Sequence, residues 1–365
     1  MVYKQITIKN FRGIKSIELN NLSRINLLLG KNSVGKSSIL EAIFLLTGSD
    51  NPNLLLSIDL FRNIIHNSAE DFAFVFNNLN YSNSPEISAI LNNNNDSTRD
   101  LNIKPSFSIG ESTQNNSKFS TDTLIESQVN SIDLITAIKT KHSQKITQKS
   151  SISIGKNIDG TINFNINRDL KAKPFIGALF DSTVNNSSAD LFSRLNSLIV
   201  DKKKDDLIKS LKSINKEIVD INLGAGNMVY VDLGIKFKKL VPLNLLGDGA
   251  IKITKIILNL NHIKNGVLLI DEIENGLHYT ILDEIWNTII QLSEKLNVQL
   301  FVTTHSKEAI ESLNRCINKL ESTKGKDLIS CYTINKNSEN EMLASYYNVS
   351  SFKEIVNGNF EIRGE

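Results

Sequence analysis

The order of apolar and polar residues predicts two kinds of strand in this chain. Alternation over residues 3–9 and 14–19 is typical of half-buried strands, and a turn between them would make a hairpin. Mainly apolar runs over 24–29, 267–270 and 298–304 are typical of strands that a parallel sheet buries on both faces. The pattern therefore predicts a mixed sheet with an antiparallel beginning.

Apolar residues at helical spacing follow the first and second of these buried runs. Residues 38–46 come after the first run and a short glycine-containing loop, and residues 279–296 lie between the second run and the third. The alternation of buried strands and helices predicts the α/β class. Further helices are predicted over 54–65, over 190–221 with an interruption near 201–204, and over 251–260.

The middle of the chain differs in composition. Between about 81 and 151, Asn, Ser and Thr dominate, and residues 92–95 are all Asn, which predicts strands joined by flexible loops. Further strands are predicted at 72–76, 175–180, 228–233, 235–237 and 329–334. A hairpin is predicted over 152–168, with Asn157, Asp159 and Gly160 at its turn. After residue 307 we expect a helix, a hairpin partner for the strand at 329–334 and a short helix near Phe352.

Composition places the chain among soluble globular proteins. It has 365 residues, 40% hydrophobic and 22% charged, with a net charge of +2. No stretch approaches the roughly 20 apolar residues of a membrane span, and the N-terminus has no apolar leader segment. Cys316 and Cys331 lack a C-x-x-C spacing, which argues against a disulfide scaffold or a zinc site. We expect a cytoplasmic protein with no membrane partner.

The candidate chemistry begins at residues 30–37, Gly-Lys-Asn-Ser-Val-Gly-Lys-Ser, which match the phosphate-binding pattern G-x-x-x-x-G-K-[ST]. A buried strand precedes this P-loop and a helix follows it, so backbone N–H groups and the helix N-terminus can meet a phosphate. We expect Lys36 to reach the β- and γ-phosphates and the Ser37 hydroxyl to ligate Mg²⁺. The predicted nucleotide contacts are Gly30, Lys31, Asn32, Ser33, Val34, Gly35, Lys36, Ser37 and Ser38.

Two later strands end in residues that suit the same chemistry. Asp271 and Glu272 follow the run 267–270, and ligands bind at the carboxyl ends of such strands. Asp271 is predicted to hold Mg²⁺ through water, and Glu272 to act as general base on the attacking water. His305 ends the next strand and is predicted to hydrogen-bond the γ-phosphate. The alternative for a lone histidine is a satisfied core residue.

The motifs together resemble those of ABC-type ATPases, and more narrowly the RecF/SMC/OLD branch, which includes AAA-type ATPases of bacterial defence. Besides the P-loop, the resemblance rests on Ile8–Lys15, Ile270–His278 and Thr303–Ser306. Leu246–Gly249 stands where that branch has its signature motif. A serine is usual at the position of Gly247 and a glycine at that of Asp248, and no Q-loop glutamine follows the first helix.

The resemblance implies a P-loop NTPase with an ABC-ATPase-like core, which is a mixed sheet with an antiparallel N-terminal β subdomain, and a large α+β insertion. In that family two subunits enclose two nucleotides, and the P-loop of one faces the signature motif of the other. A closed site would take Lys36, Ser37, Asp271, Glu272 and His305 from one chain, and Gly247, Asp248 and Gly249 from its partner.

The matched parts also imply a division of the chain. Residues 1–65 would form the N-terminal half of the ATPase core and residues 225–335 its C-terminal half. Residues 66–224 would be the insertion, β-rich and then helical, and residues 336–365 a tail. We interpret the insertion as the specificity element, because a long added segment is where such folds vary.

The function implied is that of an ATPase, with ATP and Mg²⁺ as ligands, working as a dimer or larger homo-oligomer. OLD-like enzymes carry a Toprim nuclease domain after the ATPase, whereas little chain follows Ser306 here. A separate effector protein in antiphage defence is therefore the expected partner. Two alternatives are a RecF-like DNA-binding repair ATPase and an ATP-bound scaffold or sensor with slow turnover. The lysines at 202–204 leave nucleic acid as a possible partner, because clustered lysines can contact a phosphate backbone.

Overall fold

The computed structural model describes residues 2–92, 97–108, 128–139, 145–156, 161–168, 177–181, 188–319, 328–358 and 361–362. The strands are β1 (Tyr3–Phe11), β2 (Ile14–Leu19), β3 (Ile25–Leu29), β4 (Glu86–Leu91), β5 (Thr98–Ser108), β6 (Gln128–Lys139), β7 (Ile146–Lys156), β8 (Ile162–Asn167), β9 (Ala178–Asp181), β10 (Asp220–Leu223), β11 (Val229–Asp232), β12 (Val241–Pro242), β13 (Val267–Ile270), β14 (Gln299–Thr303), β15 (Ile329–Lys336) and β16 (Met342–Tyr347). The helices are α1 (Lys36–Thr47), α2 (Leu54–Leu60), α3 (Ser188–Val200), α4 (Lys204–Ile214), α5 (Asp248–His262), α6 (Leu282–Lys295), α7 (Lys307–Lys319) and α8 (Val349–Asn357). Among the helices described, none has the length and apolarity needed to cross a membrane.

A six-stranded sheet in the order β16-β15-β3-β14-β13-β9 forms the core. Its strands are parallel except β16, which pairs antiparallel with β15 at one edge. Every residue of β3, β13 and β14 is buried, as the mainly apolar runs predict. Successive side chains point to opposite faces, so Leu27 enters the core that α3 to α8 cover and Leu28 enters the one that α1 covers. The α/β class and the buried parallel strands are confirmed.

A second, seven-stranded sheet is antiparallel throughout, in the order β2-β1-β4-β5-β6-β7-β8. The predicted N-terminal hairpin forms its first two strands. The Asn/Ser/Thr-rich middle of the chain supplies the rest, because β4 pairs directly with β1. The arms of the hairpin predicted over 152–168 are β7 and β8, while Asn157, Asp159 and Gly160 lie outside the described residues. The antiparallel subdomain and the β-rich segment therefore form one layer.

Helix α1 lies between the two sheets and is held at its C-terminal end by the antiparallel one. Eleven of its twelve residues are buried. The fully buried Arg99 of β5 donates from Nε to the Leu46 carbonyl (2.9 Å) and from Nη2 to Ser49 Oγ (2.8 Å). Thr136 of β6 donates to the same Ser49 hydroxyl at 2.8 Å. A cation beside the last carbonyls of a helix satisfies orphan acceptors and favours the helix dipole.

The prediction of a strand over residues 72–76 is wrong. The segment Ala69–Val75 is a 3₁₀ helix, which a capping box of Ser68 and Asp71 begins. Phe72 and Val75 both point into the core, three residues apart as a helical turn requires. The cluster of phenylalanines resembled a strand because it is apolar, whereas the capping pair just before it determines the local structure.

The strand predicted over 235–237 is also wrong, since these residues form an exposed turn between β11 and β12. Asp232 Oδ1 accepts the Gly234 N–H at 2.8 Å, and Gly234 has φ +79°, so the strand ends there. The helix predicted over 190–221 is present as α3 and α4, which the turn at 201–203 separates. Its last part is wrong, since Asn215 is extended with φ −140°, α4 ends at Ile214 and β10 begins at Asp220. This turn includes Lys202 and Lys203, and Lys204 is the first residue of α4.

The four-part division of the chain remains a prediction, but its segments do not coincide with the structural layers. Strand β9, inside the segment 66–224, pairs with β13 and so belongs to the core sheet. Strand β15 crosses residue 335, and β16 and α8 of the C-terminal segment complete the core. Segments distant in sequence therefore contribute to one sheet.

Candidate functional site

The predicted site residues meet at one edge of the core sheet. The P-loop follows β3, His305 follows β14, and Asp271 and Glu272 follow β13. These three strands are parallel and adjacent in the order β3-β14-β13, so their carboxyl ends lie side by side. The arrangement is the one in which open α/β sheets bind ligands.

The P-loop curls tightly between β3 and α1. Gly30 has φ +147° and Gly35 has φ +112°, values that glycine adopts readily, and Ser33 between them also has a positive φ of +62°. The Lys36 ammonium donates to the carbonyl oxygens of Gly30 (2.7 Å) and Lys31 (2.8 Å). Burial lowers the pKa of Lys36, and the nearby carboxylates, Asp271 first, act in the opposite direction. The loop, the lysine and the N-terminus of α1 together form an anion-binding cradle.

A substitution at Gly30 tests how closely this loop is packed. A Cβ on Gly30 would lie 2.6 Å from the backbone oxygen of Ile334 in β15, and φ +147° disfavours an L side chain. We expect Gly30→Ala to lower the free energy of unfolding by about 1–3 kcal/mol. Urea unfolding measures the change. Gly13→Ala is the control, because nothing lies within 4 Å of its added Cβ. Equal stabilities of the two variants would contradict this account of the loop.

The two acidic residues after β13 are held by different partners. Thr303 Oγ1 donates to Asp271 Oδ1 at 2.5 Å and accepts the backbone N–H of Glu272 at 2.8 Å. Glu272 has φ +47°, a left-handed conformation that is uncommon for a residue other than glycine. Asn275 Nδ2 donates to Glu272 Oε2 at 2.5 Å. Both carboxylates are therefore fixed in place.

A cleft of about 190 Å³ opens beside the first turn of α1 and the end of β13. Phe61 and Phe180 stack at 4.8 Å between ring centroids and form an apolar wall next to the polar groups. Ser37 and Asp271 both line the cleft, and a hydroxyl and a carboxylate are oxygen ligands of the kind Mg²⁺ accepts. In the described parts of the chain no three His, Cys, Asp or Glu side chains cluster as a metal site, so an ion here would also need phosphate and water ligands. The cleft is lined by Ser37, Glu41, Phe61, Arg62, Phe180, Asp271, Glu272 and Asn275.

A buried network of ion pairs supports one wall of the cleft. Glu41, one helical turn after Ser37, binds Arg62 Nε at 2.7 Å through Oε1 and Arg12 Nε at 2.6 Å through Oε2. Arg62 Nη2 also donates to Ser38 Oγ at 3.1 Å. Burial raises the pKa of Glu41, and the two guanidinium groups oppose that shift. Arg62 thereby places a fixed positive charge in the cleft.

The same network continues away from the cleft. Arg12 Nη2 lies 2.6 Å from Asp59 Oδ1, and His66 Nε2 lies 2.6 Å from Asp59 Oδ2. Arg12, at the turn of the N-terminal hairpin, does not line the cleft itself. Its buried side chain joins the hairpin, α1 and α2 through Glu41 and Asp59.

His305 lies beside the P-loop edge but contacts an acidic residue of the preceding loop. Its Nδ1 is 3.1 Å from Glu274 Oε1. The same oxygen accepts the backbone N–H groups of His305 (2.9 Å) and Ser306 (3.1 Å). Glu274 thus links the loop after β13 to the loop after β14. The contact with a γ-phosphate stays a prediction, and His305 is not a lining residue of the cleft.

The signature-like residues form a separate surface of the same chain. Gly247 has φ +87° and precedes α5, while Asp248 is the first residue of that helix. Gly276, with φ +73°, packs so closely on this helix start that an added Cβ would lie 3.1 Å from Asp248 Cβ. Gly249 is in similar contact with Ile281. None of Gly247, Asp248 and Gly249 lines the cleft of its own chain.

A family model described as "AAA domain, putative AbiEii toxin, Type IV TA system" matches residues 25–311, which include the P-loop, the signature-like loop, both acidic residues and His305. The chain belongs to this family. Together with the P-loop and core sheet described above, this match confirms the predicted resemblance to AAA-type P-loop ATPases.

This AAA-domain protein is similar along most of its length to one curated relative. An "ATP/GTP phosphatase" of Helicobacter pylori is 28% identical over 349 residues, covering 87% of this chain and 88% of that protein. The RecF "DNA replication and repair protein" of Nitrosococcus oceani is 54% identical over 41 residues, 11% of either chain. Among solved structures, an SMC head bound to the C-winged helix domain of ScpA is 11% identical, with 97% of this chain and 100% of that chain covered and a TM-score of 0.49.

Several residues of the AAA-domain protein's cleft were missed by reasoning from the sequence. Asn275 and Thr303 lie inside the recognised motifs, but their types alone do not show which atoms they bind. Glu41 sits at i+4 from Ser37, so helical geometry could have placed it near the site. Arg62 and Phe180 come from segments with no motif, and only the fold brings them to the cleft.

Proposed function

We propose that this AAA-domain protein hydrolyses ATP to ADP and phosphate, with Mg²⁺, in a dimer or larger homo-oligomer. We further propose that the cycle controls a separate effector protein in antiphage defence. The observation that carries the proposal is the cleft in which Ser37, Asp271 and Glu272 converge beside the P-loop. Hydrolysis of a nucleoside triphosphate needs a phosphate-binding loop, ligands for Mg²⁺ and a general base within reach of one phosphate group.

The residues suit direct attack of water on the γ-phosphate. Lys36 and the N–H groups of the P-loop would hold the β- and γ-phosphates. Ser37 and Asp271 would hold Mg²⁺, whose charge lowers the cost of negative charge on the phosphate oxygens. Glu272 would accept a proton from water as the new oxygen–phosphorus bond forms and the bond to the β-phosphate oxygen breaks. Arg62 adds a second cationic group on the same side of the cleft.

A shared site would explain why the signature-like loop stands apart from the cleft of its own chain. Leu245, just before Gly247, is 74% exposed, and Tyr279, after Gly276, is 62% exposed. Large exposed apolar side chains beside one loop favour contact with another protein surface. In the proposed assembly this surface meets the P-loop of a second copy, and Gly247, Asp248 and Gly249 offer the N-terminus of α5 to the bound nucleotide.

The proposed role in antiphage defence rests on the family description. The family description names a toxin and a TA system, which supports a function beside another protein component. The ATPase would therefore act by assembling with, or releasing, a separate effector.

Light scattering on the Glu272→Gln variant tests the shared site. This variant should bind ATP without consuming it, so we expect the measured mass to rise with Mg·ATP but not with Mg·ADP. Adding Lys36→Ala should abolish the rise, because the lysine's charge is needed to hold the triphosphate. A mass that stays monomeric with ATP would contradict the homo-oligomeric site. A constant larger mass would mean that ATP acts inside an assembly that exists without it.

A further inference from the structure

We propose that Asn275 is a positioning residue that holds the Glu272 carboxylate in place to receive the proton of the attacking water. The inference rests on the hydrolysis proposed above. Asn275 Nδ2 donates to Glu272 Oε2 at 2.5 Å, and both side chains line the cleft that also contains Ser37 and Asp271. A general base must keep its acceptor oxygen within hydrogen-bond reach of the substrate water.

Asn275 binds residue 272 at two points. Its backbone N–H donates to the Glu272 carbonyl at 3.0 Å, and its side-chain amide donates to the carboxylate. On the other side, the Glu272 N–H donates to Thr303 Oγ1. Glu272 has φ +47°, so these contacts hold a conformation that a glutamate rarely adopts by itself. The Asn275 amide is the group that fixes the far end of the side chain.

An amide suits this position better than a charged group. It donates one hydrogen bond to Oε2 while leaving the carboxylate its negative charge and Oε1 without a partner among the described residues. A lysine or arginine at this distance would form an ion pair and make the carboxylate a weaker proton acceptor. Gly276, with φ +73°, follows directly and turns the chain away from the cleft.

The variant Asn275→Asp tests the donor with little change of shape, because an aspartate cannot donate to Glu272 and repels it. We expect kcat to fall at least tenfold, while the Kd for Mg·ATP, measured on the same protein, stays unchanged. Removing a general base costs about 10²–10⁴ in rate, so misplacing it should cost part of that. In the Glu272→Gln background, Asn275→Asp should lower kcat no further. Asn20→Ala, an exposed asparagine after β2, is the control and should match the unmodified protein.

A thermal-melting cycle tests the contact without using activity. Asn275→Asp should lower the melting temperature by about 2–4 °C, since two carboxylates then face each other. Adding Glu272→Gln should restore it, because the new amide can donate to Asp in the reverse direction. Unchanged kcat in Asn275→Asp, or the absence of rescue, would overturn the positioning role. If Glu272→Gln alone left hydrolysis intact, Glu272 would not be the base and the positioning role would fall with it. The proposed function itself would fail only if the unmodified protein hydrolysed no ATP, which is a separate outcome.

Discussion

The Glu272→Gln variant is expected to lose hydrolysis while it keeps nucleotide binding. Glutamine has nearly the same shape as glutamate but cannot take a proton from water, so kcat should fall by about 10²–10⁴. The P-loop and Lys36 are unchanged, so the Kd for Mg·ATP should change little. Phosphate release under saturating ATP, repeated with GTP, measures the first quantity, and equilibrium titration with a fluorescent ATP analogue measures the second.

A matched substitution shows whether any loss is specific to the cleft. Glu294→Gln removes an exposed carboxylate on α6 and should have no effect on kcat. If Glu272→Gln hydrolysed ATP at the rate of the unmodified protein, Glu272 would not be the base. Equal loss of kcat and of ATP binding would indicate that Glu272 supports the nucleotide site rather than the proton transfer.

The largest expected loss of stability follows from Arg12→Ala. Arg12 pairs at 2.6 Å with both Glu41 and Asp59, whose side chains are 2% and 0% exposed. Removing one member of a buried ion pair leaves an uncompensated charge, so the free energy of unfolding should fall by about 3–5 kcal/mol. Chemical denaturation measures the change.

Lys15→Ala is the control for this prediction, since it removes a cation from the same N-terminal hairpin. Lys15 pairs with Glu341 at 2.8 Å, but its side chain is 71% exposed, and exposed pairs contribute about 0–1 kcal/mol. Similar losses for the two variants would show that burial does not distinguish the pairs. If Arg12→Ala also weakened ATP binding, the network would extend its effect through Glu41 to α1.

The sequence predicted those parts of the fold whose pattern is local. Mainly apolar runs predict buried strands such as β13 and β14, and the spacing of glycine, lysine and serine predicts the P-loop. The pairing of β4 with β1, which joins the middle of the chain to the N-terminal hairpin, was not predicted, because partners in a sheet can be far apart in sequence. The strand expected at 72–76 failed for the opposite reason, since the nearby pair Ser68 and Asp71 decides the structure.

The same distinction applies to the site. Ser37, Asp271, Glu272 and His305 were placed at one sheet edge by their motifs, and the structure brings them there. Their roles remain predictions. The presence of Arg62 in the cleft was not predicted, because its side chain is held by an ion pair with Glu41, which is itself paired with Arg12. A series of ion pairs between residues distant in sequence cannot be predicted from the pattern of residue types.

The position of β3 in the core sheet has a consequence for biosynthesis. Leu27 pairs with Val302 on one side and with Cys331 on the other, so the strand that leads into the P-loop emerges early from the ribosome and waits for partners made near the end of translation. Until then its apolar side chains have no sheet to enter, and such segments are prone to aggregation. The phosphate-binding loop is therefore among the last parts of the molecule to mature, and a nascent chain interrupted before β15 should need chaperones and bind no nucleotide.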